Sequence, residues 1–385
     1  MIHRAARWQH LGIFLLVLVT LIMHFSTITQ PGEPAFDEQH YVPDAKSIIE
    51  GEGTLRGEHP PLAKLFISLG IRIFGDNAFG WRFFSVLFGT ASLVLFYLIC
   101  RQLSLSQRVT LLATSLLAFE NLTFIQASVA MLDVYSLTFM LLSFLLYLKG
   151  RYLVSGMSVG LATLAKLSGG AAVLVIALHW LVTRRKILQG LVFSVAALAS
   201  FFLLMPLFDL VVFRHLVSPF ARLRTMIDLT GSLTFADTTT GIPSRPWEWI
   251  IGPPQSVDYW YTPRYVGEIS FTIWALIIPA MLYAALRAVK GVAFSWFVLC
   301  WFAGTYLVWI PLNLITDRLT FVFYFYPTVG AISIALALGL SDLWDRWRGK
   351  GRGWLRRIMP AAALGFVLLH LVLFFVLHFP LTSIV

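Results

Sequence analysis

The chain has 385 residues, of which 58% are hydrophobic and only 12% charged, and its mean hydropathy is +0.79. A soluble globular chain carries about 25% charged residues, so a water-soluble fold is excluded and an all-α polytopic integral membrane protein is expected. The net charge of +10 does not point to nucleic acid, because the basic residues sit in the joints between apolar runs and are not interleaved with aromatics on a soluble face. Anionic membrane lipids are the expected partner.

Apolar runs of roughly 15 to 25 residues predict spans near 11–29, 81–100, 109–127, 131–149, 152–167, 169–183, 187–213, 268–286, 294–314, 320–341 and 358–379. That is about eleven transmembrane helices in a single membrane domain covering 1–385. The first run has a basic start and no small-residue cleavage site before Gln30-Pro31, so it is expected to stay as a helix. Lys166-Leu167-Ser168-Gly169-Gly170 breaks the 152–183 stretch into two short helices meeting at the outer face. Cys100 and Cys300 fall near inner span ends, where no disulfide is expected.

Placing the N-terminus in the cytoplasm collects seventeen of the 29 basic residues on the inner side, including Arg4, Arg7, Arg108, Arg185, Arg287 and the Arg346–Arg357 loop, against two acids, Asp342 and Asp345. This is the polarity of the positive-inside rule. The C-terminus then lies outside, as do two segments that do not span. The first, 30–80, begins acidic and contains Leu62 to Phe74, too short to cross and suited to an interfacial helix. The second, 214–267, is rich in Pro, Gly, Trp and Tyr, including Tyr259-Trp-Tyr261, and reads as a loop against the headgroup layer.

The chemistry-bearing residues gather on that outer side. Asp37 and Glu38 follow the first span directly, and two adjacent carboxylates at a membrane surface can remove a proton from an attacking hydroxyl and orient it. Asp37 is the expected base and Glu38 its support; the plainer reading makes the pair a solvated helix cap. Asp133 opens the fourth span in an apolar stretch, where an ionisable group faces a polar cavity or a partner, or again caps a helix. An anionic phosphate leaving group needs cations held near low-dielectric surroundings. Lys166 in the helix break, Arg82 at the start of the second span, His59 and Arg318 are the candidates, with snorkelling and interfacial anchoring as the ordinary roles of Lys166 and Arg82. No metal site is expected.

Taken in order, Phe36-Asp37-Glu38, His59-Pro-Pro-Leu-Ala-Lys64, Trp81-Arg82-Phe83-Phe84-Ser85, Met131-Leu132-Asp133, Leu164-Ala-Lys166, Pro246-Trp-Glu-Trp249 and Phe323-Tyr-Phe-Tyr-Pro327 resemble the protein O-mannosyltransferases of glycosyltransferase family 39. The resemblance runs over nearly the whole chain. It implies the GT-C architecture and an inverting glycosyltransferase that uses a polyprenyl- or dolichyl-phosphate sugar, with mannose the sugar and a protein or peptide Ser/Thr hydroxyl the acceptor. It makes the residue at Asp37 the base and puts Lys166 near the donor phosphate. Two departures stand out. Family members often carry an Arg five residues before the position of Asp133, where this chain has Ser128, and the roughly fifty residues of 214–267 cannot hold the MIR domain of eukaryotic members. Aminoarabinose transferases share the Asp-Glu and Pro-Pro pattern with Lys in place of His59, so a lipid or glycan acceptor stays open. A transporter or flippase is the rival of a different class, but the pseudo-symmetric halves and broken helices of such folds are not visible.

Overall fold

The computed structural model describes residues 10–184, 186–237, 241–346 and 355–379. Within hydrocarbon each backbone N–H and C=O must be satisfied inside its own segment, and the apolar runs accordingly form helices. These are Leu11–Thr27, Ala78–Gln102, Gln107–Ala118 with Asn121–Ser128, Leu132–Leu148, Tyr152–Ala165, Leu167–Thr183, Ile187–Phe213, Ile277–Val289, Ala293–Thr316, Val322–Asp345 and Ile358–His378. They match the eleven expected runs one for one. Five are long and apolar enough to cross a membrane by themselves, and the Gln107–Ala118 and Asn121–Ser128 pair, bent by 58°, makes a sixth. The other five have 10–17 residues. The chain is a mostly helical, multi-pass membrane protein.

Helix ends follow local chemistry. Asn77, Ser106 and Glu120 each accept a hydrogen bond from a first-turn N–H of the helix that follows, which satisfies donors a helix start leaves open. Tyr152–Ala165 packs on Ile187–Phe213 through small residues, the usual device where lipid supplies no hydrophobic drive. A Cβ on Gly156 would lie 2.2 Å from the Phe193 carbonyl oxygen. Val322–Asp345 is the enclosed helix of the bundle, 83% buried, whereas Ile358–His378 is 17% buried and peripheral.

The expectation of an all-α chain is corrected by an antiparallel hairpin of Ser256–Tyr261 and Arg264–Glu268, with a register shift between Asp258 and Trp260. The aromatic density of 259–261 had the character of a headgroup loop, yet Val257 and Tyr259 alternate inward with exposed neighbours, the period of a half-buried strand. The expected interfacial helix forms as Leu62–Phe74, with Ala63, Ile67 and Ile71 buried on one face and Leu69 and Ile73 exposed on the other.

The two acids expected on the inner side are both paired with cations expected there. Arg108 bonds Asp345 and donates to Ser341 Oγ at 2.6 Å, and Arg287 lies 2.8 Å from Asp342. Arg82, Asp133 and Tyr324 begin helical segments whose far ends carry Arg101, Lys149 and Asp345, so the candidate site and the basic joints occupy opposite ends of the bundle. Arg4, Arg7, Arg185, Arg348, Lys350 and Arg352, counted in the charge asymmetry, lie outside the described residues, as does the C-terminus from 380 onward.

Candidate active site

Asp37 immediately precedes the Glu38–Glu50 helix, but its side chain makes no capping bond, so the plain role of a cap does not account for it. The residue before it, Phe36, has φ of +48°, a left-handed backbone that a bulky side chain rarely adopts. Phe36 is held there by Tyr259 of the hairpin, stacked at 4.6 Å, and by the edge of Phe323 at 5.8 Å. Tyr259 is itself fixed, since its hydroxyl accepts from Gln126 Nε2 at 2.9 Å. The hairpin therefore sets the backbone from which the Asp37 carboxylate emerges. Together with Phe36, His40, Asp258 and Trp260, Asp37 lines a groove.

Burial pushes the Asp37 carboxyl up to about 6, and Asp133 adds to the rise, while Lys166, Arg56 and a hydrogen bond from the Tyr41 hydroxyl oppose it. A carboxylate with that value is still ionised at neutral pH and is a stronger proton acceptor than an ordinary aspartate.

Glu38 departs from expectation. It points away from the groove into a closed pocket, where Arg82 binds it in a fork, Nε to Oε1 at 2.8 Å and Nη2 to Oε2 at 2.7 Å. The backbone N–H groups of Ala35 and Ala130 also donate to it, at 2.8 and 2.6 Å. The rest of Arg82 donates to the carbonyls of Ile28, Gln30, Pro31 and Glu33 at 2.9–3.3 Å. Both residues are fully buried. Every donor group of Arg82 is thus committed, which corrects the expectation that it binds phosphate, and Glu38 has no lone pair turned towards an acceptor. The pair ties the end of the first span to the helix starting at Ala78 and to the strand-like turn before Leu132.

Lys166 does not snorkel. The helix ends at Ala165, Lys166 is extended, and the chain restarts as the 3₁₀ turn Leu167–Gly170. Gly169 permits this return: a Cβ there would meet the Ala162 carbonyl oxygen at 2.4 Å and Ser136 Oγ at 2.5 Å. Lys166 Nζ donates to both oxygens of Asp133 at 2.8 Å and lies over the rings of Tyr324 and Phe323, 5.0 and 5.5 Å from their centres. Asp133 makes no capping bond; its partner is Lys166. Cation and carboxylate, 33 positions apart, form one buried pair.

His59, Lys166 and Arg318 line one cleft, with Glu58, Ser168, Trp309 and Tyr324. The cleft measures about 210 Å³, smaller than the roughly 300–1,000 Å³ of pockets that enclose a drug-sized ligand, so it has room for a headgroup and not for a long chain. Arg318 follows Asp317, which the helix end leaves in the left-handed region. Arg245 pins this turn, donating to Asn313 Oδ1 at 3.0 Å and to Asp317 Oδ1 at 2.9 Å, while Asn313 Nδ2 donates to the Arg318 carbonyl at 2.7 Å. The Pro246–Trp249 turn carries Arg245 and is closed by a Glu248 capping box. Among the described residues the Arg318 guanidinium has no ion-pair partner. Burial and the charges of Lys166, Lys64, Arg318 and Arg56 hold His59 well below its usual range, as a neutral imidazole. Of these four cations only Lys166 and Arg318 line the cleft, where Lys166 is paired with Asp133 and Glu58 adds a carboxylate.

The loop bearing His59 is fastened from below. Buried Lys64 pairs with Asp44 at 2.8 Å and donates to Thr54 Oγ1 at 2.7 Å, and Arg222 donates to the carbonyls of Gly57 and His59 at 2.7 and 3.3 Å. Tyr41, Glu58 and Tyr324 have no role in the expectations drawn from sequence. Tyr41 could have been found, since it lies one helical turn after Asp37 and shares its face. His59, Lys166 and Arg318 are gathered as expected; Asp37 and Asp133 stand beside them; Glu38 and Arg82 are elsewhere. No group of three or more metal-ligating side chains occurs among the described residues.

Residues 58–208 match the family model of dolichyl-phosphate-mannose-protein mannosyltransferases. It is 34% identical over 148 residues to the polyprenol-phosphate-mannose--protein mannosyltransferase of Mycobacterium tuberculosis, covering 37% of this chain and 28% of that one. To the enzyme of the same description from Corynebacterium glutamicum it is 33% identical over 144 residues, 34% of this chain and 27% of that one. The alignment thus spans little more than a quarter of these relatives. In fold, the protein O-mannosyltransferase Pmt1-Pmt2 complex of S. cerevisiae, bound to the sugar donor, matches with a TM-score of 0.77 at 13% identity, over 95% of this chain and 89% of that one. ArnT from Cupriavidus metallidurans matches at 0.59 and 16% identity, over 99% and 74%. The chain has the GT-C-like fold of these proteins.

Proposed function

We propose that the chain is an inverting glycosyltransferase that moves mannose from a polyprenyl-phosphate carrier to a Ser/Thr hydroxyl of a protein or peptide on the non-cytoplasmic face. The observation that carries this reading is the cationic cleft of Lys166, Arg318 and His59 with the raised carboxyl of Asp37 beside it. The acceptor hydroxyl attacks the anomeric carbon and gives its proton to Asp37. The bond from that carbon to the phosphate oxygen breaks, and the phosphate leaves with the electron pair. The donor is a phosphodiester and the product a monoester with one more negative charge, so cations fixed at the leaving oxygen bind the transition state better than the ground state. One base and no enzyme nucleophile correspond to a single displacement, hence inversion.

The membrane domain in this reading has eleven crossings, the short helices included, with the N-terminus inside and the C-terminus outside. A reporter fused after Val385 is expected to be non-cytoplasmic, and one inserted in the 346–357 loop cytoplasmic; both on one side would overturn the arrangement. Incubating the purified protein with labelled polyprenyl-phosphate mannose and a peptide pool, with mass spectrometry of whatever gains a hexose, tests the reaction. A hexose on lipid alone would shift the acceptor class, and no transfer to any acceptor would refute the proposal.

Arg318 offers the cleaner probe of the phosphate cleft, because Lys166→Met would leave buried Asp133 without its cation. Arg318→Met is expected to weaken polyprenyl-phosphate binding by roughly ten- to hundredfold, the loss of charge-assisted hydrogen bonds of about 1.5–3 kcal/mol. Unchanged affinity in a direct binding measurement would remove Arg318 from the site.

A further inference from the structure

We infer that the Pro219–Gly231 helix is a membrane-seated clamp on the phosphate cleft, and that Arg222 is the positioning residue through which it holds the loop bearing His59. The inference rests on the reading of that cleft as the donor-phosphate site. Arg222 is only 5% exposed. Its Nη1 donates to the Gly57 carbonyl at 2.7 Å and its Nη2 to the His59 carbonyl at 3.3 Å, while Nε lies 3.5 Å from Asp209 of the Ile187–Phe213 helix. Asp209 is fully buried, and no hydrogen bond from another described residue reaches its carboxylate, so its part is to balance the charge of Arg222. The helix also runs close along the loop. A Cβ on Gly57 would lie 3.1 Å from Leu229 Cδ1, and Thr230, the next residue, lines the cleft with Lys166 and His59.

Two buried ion pairs thus grip one short loop. Lys64, paired with Asp44 at 2.8 Å, donates to the Arg56 carbonyl, and Arg222, paired with Asp209, takes the carbonyls of Gly57 and His59. The second pair hangs on a helix with one face outside the bundle. One turn beyond Arg222, Met226 is buried in a cluster with Leu62, Leu164, Phe201 and Met205, whereas Phe220 and Ile227 are exposed. Phe220 stacks on Phe202 at 5.0 Å. Phe202 belongs to the Ile187–Phe213 helix, which is apolar and long enough to cross a membrane and exposes Leu203, Leu207 and Leu210. Those leucines face lipid, and the apolar face of the 219–231 helix continues their surface. Arg224 and Asp228 lie exposed beside that face. Separate buried, apolar and charged faces are the pattern of a helix lying in the membrane interface.

Arg222→Lys keeps a cation opposite Asp209 but loses the planar fork that reaches both carbonyls. In nanodiscs we expect hydrogen–deuterium exchange over residues 54–61 to quicken and the Kd for polyprenyl phosphate to weaken roughly tenfold. The KM for the lipid-linked donor should rise with it, while kcat at saturating donor and the melting temperature stay close to those of the parent. If Arg222→Lys does not fold, the double variant Phe220→Ser/Ile227→Ser, neither of whose positions lines the cleft, unseats the helix and should loosen the same loop. The seat itself is read by a nitroxide on Ile227→Cys, since Cys100 and Cys300 are buried: it should collide more often with oxygen than with a water-soluble nickel chelate. Greater access to nickel would overturn the membrane seat. Unchanged exchange, or a loosened loop with unchanged affinity, would overturn the positioning role of Arg222. A loosened loop in Arg222→Lys when the unaltered protein binds no polyprenyl phosphate would uphold the clamp and refute the proposed donor.

Discussion

Asp37→Asn reduces single-turnover transfer by roughly 10²- to 10⁴-fold, the usual contribution of a positioned general base, while the protein still folds and binds polyprenyl phosphate. The amide keeps the shape of the carboxylate and its place after the left-handed Phe36, and the cleft of Lys166, Arg318 and His59 is untouched. Loss of turnover without loss of donor binding is the pattern of an interaction made in the transition state. The unaltered protein adds a second test. Its Asp37 carboxyl, pushed up to about 6 chiefly by burial, must be ionised to accept a proton. Activity is therefore present above that value and lost as pH falls through it, whereas the residual transfer of Asp37→Asn lacks this limb. Near-normal turnover in the variant would remove Asp37 as the base. Asp133 already has both oxygens bound by Lys166, so Asp258 of the same groove and Glu58 of the cleft would be the carboxylates to test.

Much of this arrangement is legible before any coordinates. Lipid demands internally bonded backbone, so an apolar run of adequate length has few fates, and each expected span corresponds to a helix. The break at Lys166 is legible for the same reason, since Gly169 and Gly170 are the weakest helix formers in that stretch short of proline and a lysine between apolar turns needs an anion. The identity of that anion is not legible: Asp133 is a contact across 33 positions, set by how two helices pack. Composition also cannot distinguish an aromatic surface loop from the 256–268 hairpin, where only the inward alternation of Val257 and Tyr259 carries the strand signal. The adjacency of Asp37 and Glu38 suggests shared work, yet neighbouring residues at a helix start point in different directions. One enters the groove and the other the interior.

That divergence makes Glu38→Gln a stability variant and not a catalytic one. Glu38 accepts two bonds from Arg82 and one each from the Ala35 and Ala130 N–H groups, with no exposure of either charged side chain. Removing one partner of a buried pair leaves an uncompensated charge and costs about 3–5 kcal/mol, enough to unfold a marginally stable domain. The expected result is a large fall in the melting temperature of detergent-solubilised Glu38→Gln, with the folded fraction transferring sugar at close to the normal rate per molecule. Arg82→Met should show the same loss. The double variant Glu38→Leu/Arg82→Met should recover part of it, because no charge is then buried alone, but not all, because the carbonyls of Ile28, Gln30, Pro31 and Glu33 lose their common donor. A double-mutant cycle isolates the coupling of the pair from these flanking bonds. A Glu38→Gln protein as stable as the parent but unable to transfer sugar would return Glu38 to the chemistry beside Asp37.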